Sequence, residues 1–279
     1  MARAIRVISS PSKRMEAAAA AAPWTPLTQP LFADGAQTLV DHLRSLPFEQ
    51  LEALWRGSYT LDQTFYQELK TIDPRGGTSP AILAFTGTEY RTMDPATMSS
   101  AEASWMNDHF RILSGLFGLL RPCDGIAPYR LEFNTELRMP CRVSASGSVV
   151  NEPAKTLFKF WGEALVPALE ANAPDGIHVV NLASEEYAHA IKPFLKDGTP
   201  MTTCVFLEPY DLDHTEVQRG TNSKEARGSM ARWMASHAVS DVADLRDFNE
   251  GGYQFDPTRS SDDVLAFTRD HFASQLPHA

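Results

Sequence analysis

Apolar residues along this chain follow two rhythms. Short runs rich in aliphatic and β-branched side chains predict buried strands: Ala4–Ser9 (AIRVIS), Ala81–Phe85 (AILAF), Ile177–Leu182 (IHVVNL) and Thr202–Leu207 (TTCVFL). Longer stretches repeat every three to four residues and predict helices. Residues 36–46 carry Leu39, Val40, Leu43 and Leu46, and residues 48–55 and 61–72 continue the pattern. Residues 156–170 place Leu157, Phe160, Trp161, Leu165 and Leu169 on one side. A helix begun by Ser223 puts Met230, Trp233 and Met234 together, and residues 241–247 and 261–272 also predict helix. Tyr129–Phe133 reads as a strand, residues 141–153 as a loop, and residues 16–30 as an Ala- and Pro-rich surface excursion. Buried strands separated by helices predict an α/β chain, with α+β as the alternative. The expected architecture is one domain over residues 1–279, with a mixed, mostly buried sheet flanked by helices.

The stretch from His109 to Phe133, HFRILSGLFGLLRPCDGIAPYRLEF, organises the middle of the chain. A helical pattern of Trp105, Met106, Phe110, Ile112 and Leu113 breaks at Ser114-Gly115, and Arg121-Pro122 ends the apolar turn that follows. This predicts a helix-hairpin-helix-like element near residues 105–122. Three arginines, Arg111, Arg121 and Arg130, sit beside it.

Charge narrows the function classes. A formal net charge of −10 on 279 residues does not steer the chain to nucleic acid by its overall field, so such binding needs a local basic cleft. The three cysteines show neither metal spacing nor a disulfide framework, which predicts reduced thiols in a cytoplasmic protein. The chain has no apolar run of membrane-spanning length and no secretory h-region, so neither a membrane span nor a signal peptide is expected. The histidines form no HxxxH or HExxH pair, and GxGxxG, P-loop and GxSxG signatures are missing, so no metal or cofactor is expected.

Ligands of open α/β sheets collect at the carboxyl ends of strands. Here those ends carry Ser10 and Lys13, then Thr86 and Gly87, then Asn181 and Ser184. Each is a candidate ligand residue, and each also suits a cap or a turn, Ser184 above all as a helix N-cap. Lys224 and Arg227 fall in the first turn of the expected helix, where the macrodipole disfavours cations. An anion bound nearby explains them, and so does a local ion pair. Arg111 lies three residues after Asp108 and equally suits a surface pair.

The segments SSPSK (9–13), AILAFTGTEY (81–90), HFRILSGLFGLLRPCDGIAPYRLEF (109–133), KFWG (159–162), VVNLASEEY (179–187), KEARGSMARW (224–233) and FNEGGYQFD (248–256) together resemble the bacterial YaaA family of peroxide-stress proteins. The resemblance implies a role in limiting free intracellular iron during hydrogen peroxide stress. It further implies non-specific binding of double-stranded DNA in a basic cleft, with Gly115 and Gly118 as the hairpin glycines. The motif residues it marks are Lys13, Tyr90, Arg121, Tyr129, Arg130, Asn181, Ser184, Tyr187, Lys224 and Arg227. Their mix of cations and hydroxyls equally suits an enzyme pocket for a small anionic metabolite. In that alternative Lys13 or Lys224 is the base, Tyr129 or Tyr187 the acid, and Arg130 and Arg227 the anion clamp. The chain departs from the family pattern at Phe133-Asn134-Thr135-Glu136 and at Thr86.

Overall fold

Strand β1 (Ala4–Ser9) is central, with five of its six residues buried. The computed structural model describes residues 3–55, 59–209, 216–217 and 220–269. The other strands of the main sheet are β2 (Phe110–Ser114), β3 (Gly118–Leu120), β4 (Ile177–Asn181), β5 (Met201–Pro209), β6 (Gln254–Phe255) and β7 (Val264–Thr268). Their spatial order is β6-β7-β5-β4-β1-β2-β3. β2, β1, β4, β5 and β7 run parallel; β3 and β6 are antiparallel edges. Glu216–Val217 adds a short antiparallel rung to β5. This is the mixed, largely covered α/β sheet that the apolar runs predict.

The helices are α1 (Ala33–Ser45), α2 (Phe48–Trp55), α3 (Tyr59–Thr71), the short α4 (Ala81–Ala84) and α5 (Thr88–Met93), α6 (Ser100–His109), α7 (Leu157–Trp161), α8 (Leu165–Glu170), α9 (Glu185–Ala188) and α10 (Gly220–Ser236). None of the described helices is long and apolar enough to cross a membrane. The expected helix over 156–170 is broken at Gly162 into α7 and α8. The buried guanidinium of Arg6 ties β1 to the end of α8 through the carbonyls of Leu169 (3.0 Å) and Ala171 (2.9 Å).

Several expectations are corrected. Ala81–Phe85 is not a strand: Pro80 leads into a single helical turn of Ala81, Ile82, Leu83 and Ala84, in which the two alanines and Leu83 are good helix formers and only Ile82 is β-branched. Residues 264–268 form β7, not helix, and VLAFT packs between β5 and β6. Tyr129–Phe133 is irregular, and residues 141–153 contain a small ribbon of Arg142–Val143 with Val149–Val150. The helix after Ser184 stops at Ala188.

The helix-hairpin-helix is also absent. After α6 the chain enters β2, turns at Gly115–Phe117 and returns as β3, with Ile112 opposite Leu120. Every residue from Ile112 to Leu120 is buried, so there is no polar face to distinguish a helical period from a strand period. The glycines serve close packing. Gly118 has φ +68°, and a Cβ there would meet Trp161 and Leu165 at 2.9 Å; one at Gly115 would meet the Leu131 carbonyl at 2.5 Å.

Arg111 and Arg121 lie at the end of the hairpin away from this turn. Arg111 donates to the carbonyls of Asn107 (2.8 Å), Phe110 (2.8 Å) and Asp108 (3.3 Å), finishing α6 instead of pairing with the Asp108 carboxylate. Burial lowers its pKa to about 10. Arg121 forks onto the buried Asp124 carboxylate at 2.9 and 3.1 Å. Arg121→Ala is expected to cost about 2 kcal/mol in urea unfolding, because Asp124 loses its charged partner but keeps the Thr28 hydroxyl at 2.6 Å.

Candidate functional site

β1 leads to β2 on one side of the sheet, and β4 leads to β5 on the other. The carboxyl ends of β1 and β4 therefore flank a switch point, where the two loops part and leave a crevice. Ile8 pairs with Asn181, so both strands end at the same level. Across the crevice the Ser184 amide donates to Ser10 Oγ (2.9 Å). Ser184 stands at the N-cap of α9, but its side chain makes no capping bond. Asn181 shapes the strand end: its Oδ1 accepts from the Ala183 amide (2.9 Å) and its Nδ2 donates to Thr203 Oγ1 (3.3 Å).

A cavity of about 510 Å³ opens at this point, lined by Ser10, Ser12, Lys13, Glu89, Tyr90, Ser184, Tyr187, Lys224 and Arg227 among others. Seven of these were legible as candidates; Ser12 and Glu89 were not. Helix α10 starts at Gly220, earlier than expected, so Lys224 and Arg227 are its fifth and eighth residues and lie beyond the first turn. The helix packs on α5 and α6, bringing both cations to the cavity wall. Arg227 Nε is buried and has no hydrogen-bond partner among the described residues.

Glu89 is the unusual group. It follows Gly87 and Thr88 in the first turn of α5, a position where sequence reads a surface acid. It is instead 6% exposed and accepts a hydrogen bond from Ser9 Oγ. Burial pushes its pKa up to about 7, against the Ser9 hydrogen bond and the Arg227 and Lys224 charges, which lower it. Tyr90, its neighbour, is buried and donates to the Ser10 carbonyl (2.8 Å).

Lys13 reaches across the mouth to Glu132 (2.8 Å), whose other oxygen takes Arg130 (2.7 Å). The Arg130–Glu132 pair lies in the irregular segment 129–133. A narrow neck beside this triad is lined by Tyr129 and Tyr187. Tyr129 Oη shares a hydrogen bond with Ser114 Oγ (2.6 Å). Burial raises both phenols well above the ordinary tyrosine range, so at neutral pH they are hydrogen-bonding hydroxyls. Asn134, Thr135 and Glu136 line an adjoining cavity with Lys13 and Glu132, while Phe133 is buried against Phe158 and the Asn134 backbone amide donates to Glu186 (3.2 Å).

The cavity lining carries five cations (Lys13, Arg14, Arg91, Lys224, Arg227) against three carboxylates (Glu89, Glu132, Glu186), an excess of cations on a chain of net charge −10. Arg111, Arg121, Gly115, Gly118 and Asn181 do not line it. A cavity of about 530 Å³ between α1 and the 142–150 ribbon has only Asp34 and Arg75 as charged groups, and these pair with each other. Among the described residues no group of three or more His, Cys, Asp or Glu is placed to hold a metal ion.

Comparison with known proteins agrees with the motifs. A family model described as peroxide stress protein YaaA matches residues 5–259. A UPF0246 protein of Lactiplantibacillus plantarum is 36% identical over 267 residues, covering 96% of this chain and 100% of that protein. Another, of Pediococcus pentosaceus, is 34% identical over 265 residues, covering 95% and 98%. A third, of Lacticaseibacillus paracasei, is 37% identical over 240 residues, covering 86% and 90%. Likeness of this extent runs through the sheet, α5 and α10 alike, and places the chain in the YaaA family of peroxide stress proteins, the UPF0246 group.

Proposed function

We propose that this protein serves the peroxide stress response by holding a small anionic ligand in the cavity between the ends of β1 and β4. The observation that carries this reading is Arg227: a cation whose Nε is buried with no hydrogen-bond partner among the described residues, beside Lys224 and the Ser10–Ser184 contact, in a cavity of metabolite size. A buried N–H of a cation is costly to leave unmade, and an oxyanion satisfies it. Lys224 and Arg227 form the anion clamp, Ser10 and Ser184 the polar floor, and Glu89 the group able to exchange a proton near neutral pH. Limitation of free iron then follows downstream of ligand binding. Direct reaction of peroxide with thiols is a poor alternative. Cys123, Cys141 and Cys204 are all buried, and burial raises each thiol, Cys204 to about 12.

Double-stranded DNA is the second reading, favoured by the exposed Lys13, Arg14, Arg91 and Lys224 around the mouth. Such binding is carried by phosphate contacts and weakens steeply with salt. Titration with inorganic phosphate, followed by thermal stabilisation, separates the two. Wild type is expected to bind, and Lys224→Ala and Arg227→Ala each to weaken binding at least about tenfold. Salt-sensitive binding of a short duplex, with no response to phosphate, overturns the small-ligand reading in favour of DNA.

A further inference from the structure

We propose that Glu89 is itself a ligand-binding residue: an oxyanion enters this cavity together with a proton, and the protonated Glu89 carboxyl donates a hydrogen bond to it. This deepens the anion reading above and rests on it. Glu89 lines the cavity, is nearly sealed from water, and takes one hydrogen bond from the Ser9 hydroxyl on β1. The charges that compensate it are Arg227 and Lys224 on α10. These are also the two cations an incoming anion reaches. Tyr90 adjoins Glu89 as a neutral hydroxyl already committed to the Ser10 carbonyl. Lys13, Glu132 and Glu186 lie across the cavity, with Lys13 held by Glu132, and Arg14, Arg91 and the protonated Tyr187 complete the charged and titratable lining.

An ionised Glu89 and a bound anion thus compete for the same two cations in a confined, poorly hydrated space. Like charges so placed cannot both stay ionised cheaply. A proton on Glu89 removes the conflict and replaces repulsion with a charge-assisted O–H···O⁻ bond. The free carboxyl, poised at about 7, is partly protonated at neutral pH, and withdrawal of Arg227 and Lys224 toward the ligand raises it further. By linkage, binding takes up a proton and affinity falls as pH rises. The site loads in mild acid and empties in mild alkali.

Sulfate is the cleanest probe, since it carries no proton of its own near neutrality. Titration calorimetry of wild type at pH 6.5, 7.5 and 8.5 is expected to show affinity falling toward tenfold per pH unit above about 7.5. Repeated at pH 8 in two buffers of different ionisation heat, it is expected to show close to one proton taken up per sulfate bound. Glu89→Gln, which keeps an acceptor for Ser9, is expected to bind sulfate with little pH dependence. Wild-type binding with no proton uptake and a flat pH profile overturns the role of Glu89 while leaving the anion site standing. The proton count uses wild type alone, so it decides the question even if the variant folds poorly. No sulfate or phosphate binding at any of these pH values removes the anion reading and this inference with it.

Discussion

Gly228→Ala is expected to destabilise the protein by about 1–3 kcal/mol or more and to disable the cavity, although it replaces glycine by alanine inside a helix. At an open helical position that exchange stabilises by about 1 kcal/mol, because glycine has more backbone freedom to lose. Here α10 lies directly on α5. A Cβ at Gly228 would sit 2.1 Å from the Glu89 carbonyl oxygen and 3.0 Å from the Met93 amide nitrogen. Both are backbone atoms, so no side-chain rotation relieves the overlap. The helices must part, and overpacking of this kind costs about 1–3 kcal/mol or more. Parting them carries Glu89 away from Lys224 and Arg227, whose placement depends on that contact. Urea unfolding and phosphate titration on the same variant are expected to show both losses. A variant as stable as wild type, or more so, would mean that α5 and α10 are not held this closely.

The sheet was readable in sequence where strands are β-branched and fully buried. AIRVIS and IHVVNL announce β1 and β4, and the rule that ligands gather at strand ends then leads to Ser10 and Ser184. Lys224 and Arg227 were readable as two cations close together on one helix, although the reason offered for them, a place in its first turn, does not survive the earlier start of α10. Other features were not readable. A continuously buried run such as Ile112–Leu120 has no polar side, so a hairpin of strands and a pair of helices leave the same pattern. VLAFT in β7 likewise follows polar residues that mimic a helix start. Arg121 stood beside the turn as a ligand candidate, and its partner Asp124, three residues on, is set by a turn whose shape only the fold fixes. Glu89 was hidden for a related reason. Nothing local marks an acid as buried when the burial comes from a helix more than a hundred residues later. The Glu89–Ser9 contact and the approach of Gly228 are both long-range, and together they place the group on which the cavity's proton chemistry turns.

Glu89→Gln is expected to make the protein more stable above neutral pH and to leave it little changed in acid. The folded-state pKa of Glu89 is raised, to about 7 from an ordinary value of 4.5. A carboxyl raised in this way binds its proton more tightly in the folded protein than in the unfolded chain. Below about 4.5 both states are protonated and the group is neutral to stability. As pH climbs from 4.5 toward 7 the unfolded chain gives up its proton while the folded protein retains it, so stability declines over that window. Above it both states are ionised, and the full cost of holding a buried carboxylate remains. A shift of this size corresponds to a cost on the order of 3 kcal/mol. Glutamine keeps an oxygen for the Ser9 hydroxyl and carries no charge, so the penalty is absent at every pH. Two opposing effects set the size of the gain. Glutamine loses the attraction to Arg227 and Lys224, but that attraction is already contained in the net upward position of the carboxyl. The difference between variant and wild type is therefore expected to be small at pH 4.5, to grow through pH 6 and to level off near pH 8, measured by urea unfolding at each pH. The opposite slope, with the variant losing ground as pH rises, would show that the ionised Glu89 is a net stabilising partner of α10 and that its carboxyl sits below, not above, the ordinary range. Such a result would also remove the proton from the cavity at neutral pH, leaving Lys224 and Arg227 neutralised by Glu89 before any ligand arrives.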